Sequence, residues 1–295
     1  MSFVALGIVL FSALLHAFWN AMLKAFTDRA IILAAVSAAH ALVGVVLISF
    51  APIPDRASWP ALFISTVVHY GYYFLLFRTY KHGELSQVYP ISRGLAPALV
   101  AISAYFILNE SLGNVGWAGV VAVSLGICLL AIQRGAATAP PSTIGLAVLL
   151  GVCIATYSIA DGIGVRYSQA PLGYMGWLFM FEAPVALAIV CHRVRVGGRF
   201  DARIIFPGLF AGLCSVTAYG LVLYVKTIAP LGAVSAVRES SVIIATIIGL
   251  VFFWRATLAG SFDSFNCRCR WHHCACLRNL ELISFNINKN VTCIK

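Results

Sequence analysis

A chain of 295 residues in which 61% are hydrophobic and only 10% charged cannot cover itself with a water-compatible surface, because soluble domains carry about 25% charged residues. A mean hydropathy of +0.93 excludes a soluble enzyme and points to an integral membrane protein built of many apolar helices of roughly 20 residues. The net charge of +10 falls in short loops and builds no basic face, so it reads as membrane-orienting charge and excludes nucleic-acid binding.

Apolar runs broken by short polar or Gly/Pro loops predict nine spans, near 2–23, 31–50, 61–80, 85–108, 115–132, 143–165, 173–191, 204–225 and 231–254. The first run has no basic leader ahead of it and carries its own polar residues, so it reads as span one and not as a cleaved signal. It holds His16, Trp19, Asn20 and Lys24. His16 and Asn20 share a face at i, i+4 spacing and suit either helix–helix hydrogen bonding or contact with a solute.

Span three carries His69, Tyr72 and Tyr73, with Arg78 at its end. An aromatic, polar helix face can wall a pocket for an organic solute, whereas Tyr80 suits an interfacial aromatic belt. Span four opens "LSQVYPISRGLAP". Pro90 and Pro97 remove backbone donors and predict a kink, with freed carbonyls near Tyr89. Arg93 lies within the apolar run and needs either an anionic ligand or a counter-charge from Glu84, Asp161, Glu182 or Glu239.

In the second half, Asp161 and Glu182 are intramembrane carboxylates, and Arg238-Glu239 lies inside span nine. A carboxylate in a dry bundle is either a paired structural acid or a proton carrier, so Asp161 and Glu182 are the candidates for proton coupling. Cys128, Cys153, Cys191 and Cys214 each lie singly in or beside an apolar run and read as small buried hydrophobes, not disulfides.

"QRGAATAPPS" at 133–142 reads as a midpoint linker. "LLHAFWNAMLKAF" opens the first half and "CIATYSIADGIGVRY" the second, with Asn20 opposite Asp161 when the two are laid together. "YKHGELSQVYPISRG" likewise resembles "VKTIAPLGAVSAVRES". Two five-span repeats follow: residues 1–132 and, with four spans legible, 143–254. An odd-numbered repeat enters the membrane in opposite directions, giving the inverted-repeat plan of many transporters. Arg and Lys are concentrated in the loops after spans one, three, five and seven, while the alternating loops hold only Arg56, Arg166 and Lys226. That bias puts the N-terminus outside.

No tenth span is legible in 255–295. The segment instead holds "NCRCRWHHCAC" at 266–276. Soft sulfur and imidazole suit zinc or copper(I), yet the C-x-C…H-H-C-x-C spacing is irregular and its flanks offer little scaffold for a closed shell. Read from the second base of each codon, Cys codons become Val or Ala, Trp271 becomes Gly, and the histidines become Ile or Thr. Trp254 becomes Gly and Arg255 can become Glu, restoring "FFGE" at the spacing from Arg238 that Glu110 has from Arg93. We read the tail as the product of a one-nucleotide frame change, with no metal site.

The chain resembles the drug/metabolite transporter superfamily, specifically the EamA-type ten-span carriers. The resemblance rests on "LLHAFWNAMLK", on "GELSQVYPISRGLAP" followed by "FILNE", and on "APLGAVSAVRESSVIIATIIGLVFF", and it covers about residues 1–253. It implies an all-α five-plus-five inverted-repeat bundle with a central cavity, working by alternating access in the bacterial inner membrane. The implied activity is secondary transport, commonly export, of small metabolites or drugs, with no cofactor and no bond chemistry. The implied partners are a small-molecule solute, protons or another coupling ion, and the bilayer. The helices that line the cavity in this family correspond to spans one, three, four, six, eight and nine. They select His16, Trp19, Asn20, Tyr72, Tyr89, Arg93, Tyr157, Asp161, Tyr219 and Arg238 as substrate-binding candidates. The alternatives are a membrane-embedded enzyme acting on a lipid-linked substrate, with Arg93 on phosphate and Asp161 or Glu182 as base, or a non-functional frameshifted product.

Overall fold

The computed structural model describes residues 1–26, 28–81, 85–133, 136, 139–242 and 244. The Cys/His cluster, the altered frame, the expected tenth span, Glu84 and part of the linker at 133–142 lie outside the described residues, as do the side chains of Lys24 and Tyr80. Among the described residues there is no strand. The helices are α1 (Phe3–Ala25), α2 (Arg29–Phe50), α3 (Trp59–Lys81), α4 (Leu85–Leu108), α5 (Gly113–Gln133), α6 (Pro141–Tyr167), α7 (Pro171–Met180), α8 (Ala183–Arg195), α9 (Ala202–Lys226) and α10 (Leu231–Arg238). Among the described residues, seven stretches are long and apolar enough to cross a membrane, counting α7 and α8 together. The protein is a multi-pass helical membrane bundle.

Local chemistry sets several helix ends. Ser2 and Asp28 each accept from a backbone N–H in the first turn of α1 and α2, at 3.2 Å, and Asp201 does the same for α9 at 2.9 Å. These caps occupy donors that a helix start otherwise leaves unpaired. Proline opens α6 and α7, where its missing N–H costs nothing.

Span seven departs from expectation: the single helix over 173–191 is two helices, broken at Phe181-Glu182. Pro184 is the cause. It has no N–H for the Met180 carbonyl, and its ring crowds that carbonyl. Val185 N–H turns to the Glu182 carbonyl at 3.0 Å, and the Phe181 carbonyl accepts from the Tyr70 hydroxyl. By contrast α4 stays helical through both Pro90 and Pro97. The Tyr89 carbonyl there accepts from Ser92 Oγ at 3.0 Å.

Helix α6 is the central post, with 56% of its span buried, whereas α5 lies at the edge with 17%. Helix α6 packs on α4 and α3, α9 on α1 and α2, and α2 also on α7 and α8. The apolar core between α6, α7 and α9 centres on Val165, Tyr174, Phe179, Val216 and Leu223. Phe3, Phe50, Phe106 and Val115 point outward, exposed, as suits a surface solvated by lipid. The cysteines follow that outward pattern more than expected: Cys128, Cys153 and Cys214 are half-buried, and Cys191 is exposed.

Candidate transport site

The helices bring the intramembrane polar groups of both halves together. Arg93 of α4 and Glu239, at the end of α10, are both buried, and Arg93 Nη1 lies 3.2 Å from Glu239 Oε1. Of the four acids that could have answered Arg93, Glu239 does so. The Arg93 guanidinium also lies 5.1 Å from the centre of the Tyr89 ring, a cation–π arrangement open to an i, i+4 pair on one helix. Arg93 Nε, Glu239 Oε2 and His16 Nε2 are buried without a hydrogen-bond partner, so the contact region retains unused hydrogen-bonding capacity.

Asp161 of α6, fully buried, accepts from Tyr174 at 3.2 Å and from Tyr219. Tyr219 carries cations on its ring: Arg238 at 5.0 Å and Lys226 at 5.8 Å. Lys226 is the main surprise. Its place beside the "TIAP" turn read as a loop charge, yet it is buried and donates to the Ser158 carbonyl at 3.0 Å. Arg166 leaves the loop as well. It pairs with Glu110 at 2.5 Å, so neither cation contributes to a free surface charge.

An aromatic wall joins these groups. His69 stacks on Tyr157 at 4.1 Å and meets Tyr219 edge-on at 6.1 Å. Tyr72 meets Tyr157 edge-on at 6.2 Å. Span one contributes differently from expectation. Asn20 donates back to the His16 carbonyl at 2.8 Å, and Trp19 Nε1 donates to His16 Nδ1 at 3.3 Å. Trp19 therefore holds the His16 ring while Asn20 bonds only its backbone carbonyl, and His16 alone of the three is buried.

Glu182 sits at the α7–α8 break with His40 of α2 3.2 Å away and Tyr73 donating to it at 3.2 Å. His40 was not among the candidate residues. A lone histidine in "VSAAHALVG" offers no spacing signal, only its cost inside an apolar helix.

Among the described residues, the void bounded by His69, Tyr70, Glu182 and Tyr219 measures about 10 Å³, at the lower limit for one water. Two larger spaces are lateral and apolar. One, of about 590 Å³, lies among α3, α4 and α6 beside Ile64, Leu99 and Ile159; the other, of about 530 Å³, lies among α2, α7 and α9. Neither is lined by Arg93, Asp161 or Glu182. Volume and chemistry disagree here, and the chemistry marks the site. Lipid chains suffice to fill apolar grooves on the flank of a bundle, whereas buried ions require a reason.

The model of the EamA-like transporter family matches residues 3–132. No curated protein matches the chain.

Proposed function

We propose, from the EamA-like domain carried by residues 3–132, that the chain is a secondary active carrier of small organic metabolites or drugs. It exports them across the bacterial inner membrane by alternating access between two inverted five-span repeats, at 1–132 and 143–254. The single observation that carries this reading is the buried Arg93–Glu239 pair, whose partners stand 146 residues apart in sequence, one in each half. Separated ions cost several kcal/mol in a dry bundle. A carrier, however, needs polar groups that exchange partners when a solute enters, and Arg93 Nε, Glu239 Oε2 and His16 Nε2 stand unpaired beside it.

Packing supports the repeat. Helix α1 lies on α9, as its counterpart α6 lies on α3; α4 lies on α6, as its counterpart α10 lies on α1. Arg93, Arg238, Asp161, Tyr157, Tyr219, Tyr72, Tyr89 and His16 form the solute site in this reading. Trp19 acts through His16 and positions its ring. No bond is made or broken.

The test is reconstitution of the chain in lipid vesicles with a panel of isotope-labelled amino acids, nucleosides, organic acids and amphipathic drugs. Saturable flux of one chemical class is expected, with flux per inserted molecule lost in Arg93→Ala. Flux equal to that of empty vesicles across the panel overturns the reading.

A further inference from the structure

We propose that Glu182 and His40, with Tyr73, form a proton-binding site at the break between α7 and α8, separate from the Arg93–Glu239 contact. The inference rests on the carrier reading for its purpose, though not for its geometry.

Glu182 lies where Pro184 stops α7 from continuing, so its carboxylate projects from a chain interruption inside the bundle. Interrupted helices inside membranes collect ion sites for this reason. One oxygen, Oε1, lies 3.2 Å from His40 Nδ1, and the other accepts from Tyr73. His40 Nδ1 is within ion-pair reach but lacks the direction of a hydrogen bond, and His40 Nε2 has no partner. The groups facing Glu182 are His40 from α2, His69, Tyr70 and Tyr73 from α3, and Tyr219 from α9. None of these is permanently charged. Among the described residues, then, no fixed cation balances the carboxylate, and a proton can.

The step is simple to write. One proton from water adds to the Glu182–His40 pair and makes one O–H or N–H bond; its loss breaks that bond and returns the proton to water. With the proton on Glu182 the pair is neutral overall, as carboxylic acid and imidazole. Without it an unbalanced carboxylate stands half-buried, where charge is costly. Proton release is therefore favoured only when the site opens to water, which ties occupancy to conformation.

Asp161, the other sequence-level candidate, is built differently. Both its oxygens accept from phenols, and Lys226 lies over the Tyr219 ring that binds it. It has a cation nearby and acts as a fixed counter-ion. The two acids are nonetheless connected: the water-sized void touches both Glu182 and Tyr219, and Tyr219 donates to Asp161.

The probe is the proton itself. Infrared difference spectra of the whole chain in vesicles, recorded across a pH series, are expected to contain one carboxylic C=O band that disappears in Glu182→Gln. In His40→Asn its midpoint is expected to move by roughly one pH unit or more. Tyr73→Phe, which removes one donor and little volume, is expected to move the same midpoint and keeps the test open if either other variant fails to insert. A titrating band unchanged in Glu182→Gln, or a midpoint indifferent to both His40→Asn and Tyr73→Phe, overturns the site. No solute is required, so that result leaves the carrier reading standing; an intact proton band with no solute flux does the reverse.

Discussion

Arg166, at the end of α6, and Glu110, just past α4, meet at 2.5 Å and between them tie four helix ends together. Arg166 donates from Nε to the Lys226 carbonyl at 2.7 Å and from Nη2 to the Ala229 carbonyl at 2.9 Å. Glu110 Oε2 accepts from Leu231 N–H, the first residue of α10, at 2.7 Å. A left-handed Asn109, at φ 54°, turns the chain after α4 so that Glu110 can reach. The last turn of α9 and the first turn of α10 are thereby anchored to the first half of the protein.

This anchor predicts unequal losses. Glu110→Gln keeps an acceptor and loses the charge, whereas Glu110→Ala leaves Leu231 uncapped and should cost about 1–2 kcal/mol. Arg166→Lys should be as harmful as Arg166→Ala, because an ammonium lacks the planar fork that serves two carbonyls and a carboxylate together. Thermal unfolding in detergent, read by helix signal, checks the order.

The Arg93–Glu239 pair separates stability from transport. Arg93→Met or Glu239→Met alone strands one buried charge and should cost about 3–5 kcal/mol. The double variant removes both charges and should recover membrane abundance while transport stays lost. Abundance by fluorescent fusion and flux in vesicles give the two readings. Recovered flux in the double variant would assign the pair to structure alone.

Pro184→Ala restores an N–H opposite the Met180 carbonyl and should let α7 run into α8. Slower hydrogen exchange at residues 181–185 is the expected sign. Because healing the break turns Glu182 relative to His40, the carboxyl band described above should shift in the same variant.

Gly44 and Gly212 should tolerate no larger residue. A Cβ at Gly44 would lie 2.5 Å from the Met180 backbone nitrogen, and one at Gly212 would lie 3.0 Å from the Val36 Cα. Gly44→Ala and Gly212→Ala should each cost on the order of 1–3 kcal/mol by overpacking, measurable as lost abundance. Gly119, whose added Cβ would meet nothing, is the control.

The DNA beyond the codon for Phe253, read one base downstream, is expected to encode Gly-Glu and then an apolar run. An early stop codon in that frame would remove the expectation.

The spans were readable because lipid selects long apolar runs and short turn-rich loops, a signal that needs no partner residue. The broken seventh span was less so. "FMFEAPVAL" does contain Pro184, but Pro90 and Pro97 carry the same signal in α4 without ending it. What distinguishes them is tertiary: Tyr70 stands ready to receive the Phe181 carbonyl. Arg93 announced itself by cost alone, while its partner among four acids depended on how α10 meets α4. His40 and Lys226 stayed hidden for opposite reasons. One sits singly among small residues, and the other lies beside a turn that resembles a membrane surface.

The close approaches at Gly44 and Gly212 have a mechanical consequence. Backbones in such contact cannot slide past one another without collision, so α2, α7 and α9 travel as one block. Helices α3 and α7, by contrast, touch only slightly, and the seam between them lies beside Tyr73 and Glu182. Any rocking of this molecule should therefore part along that seam.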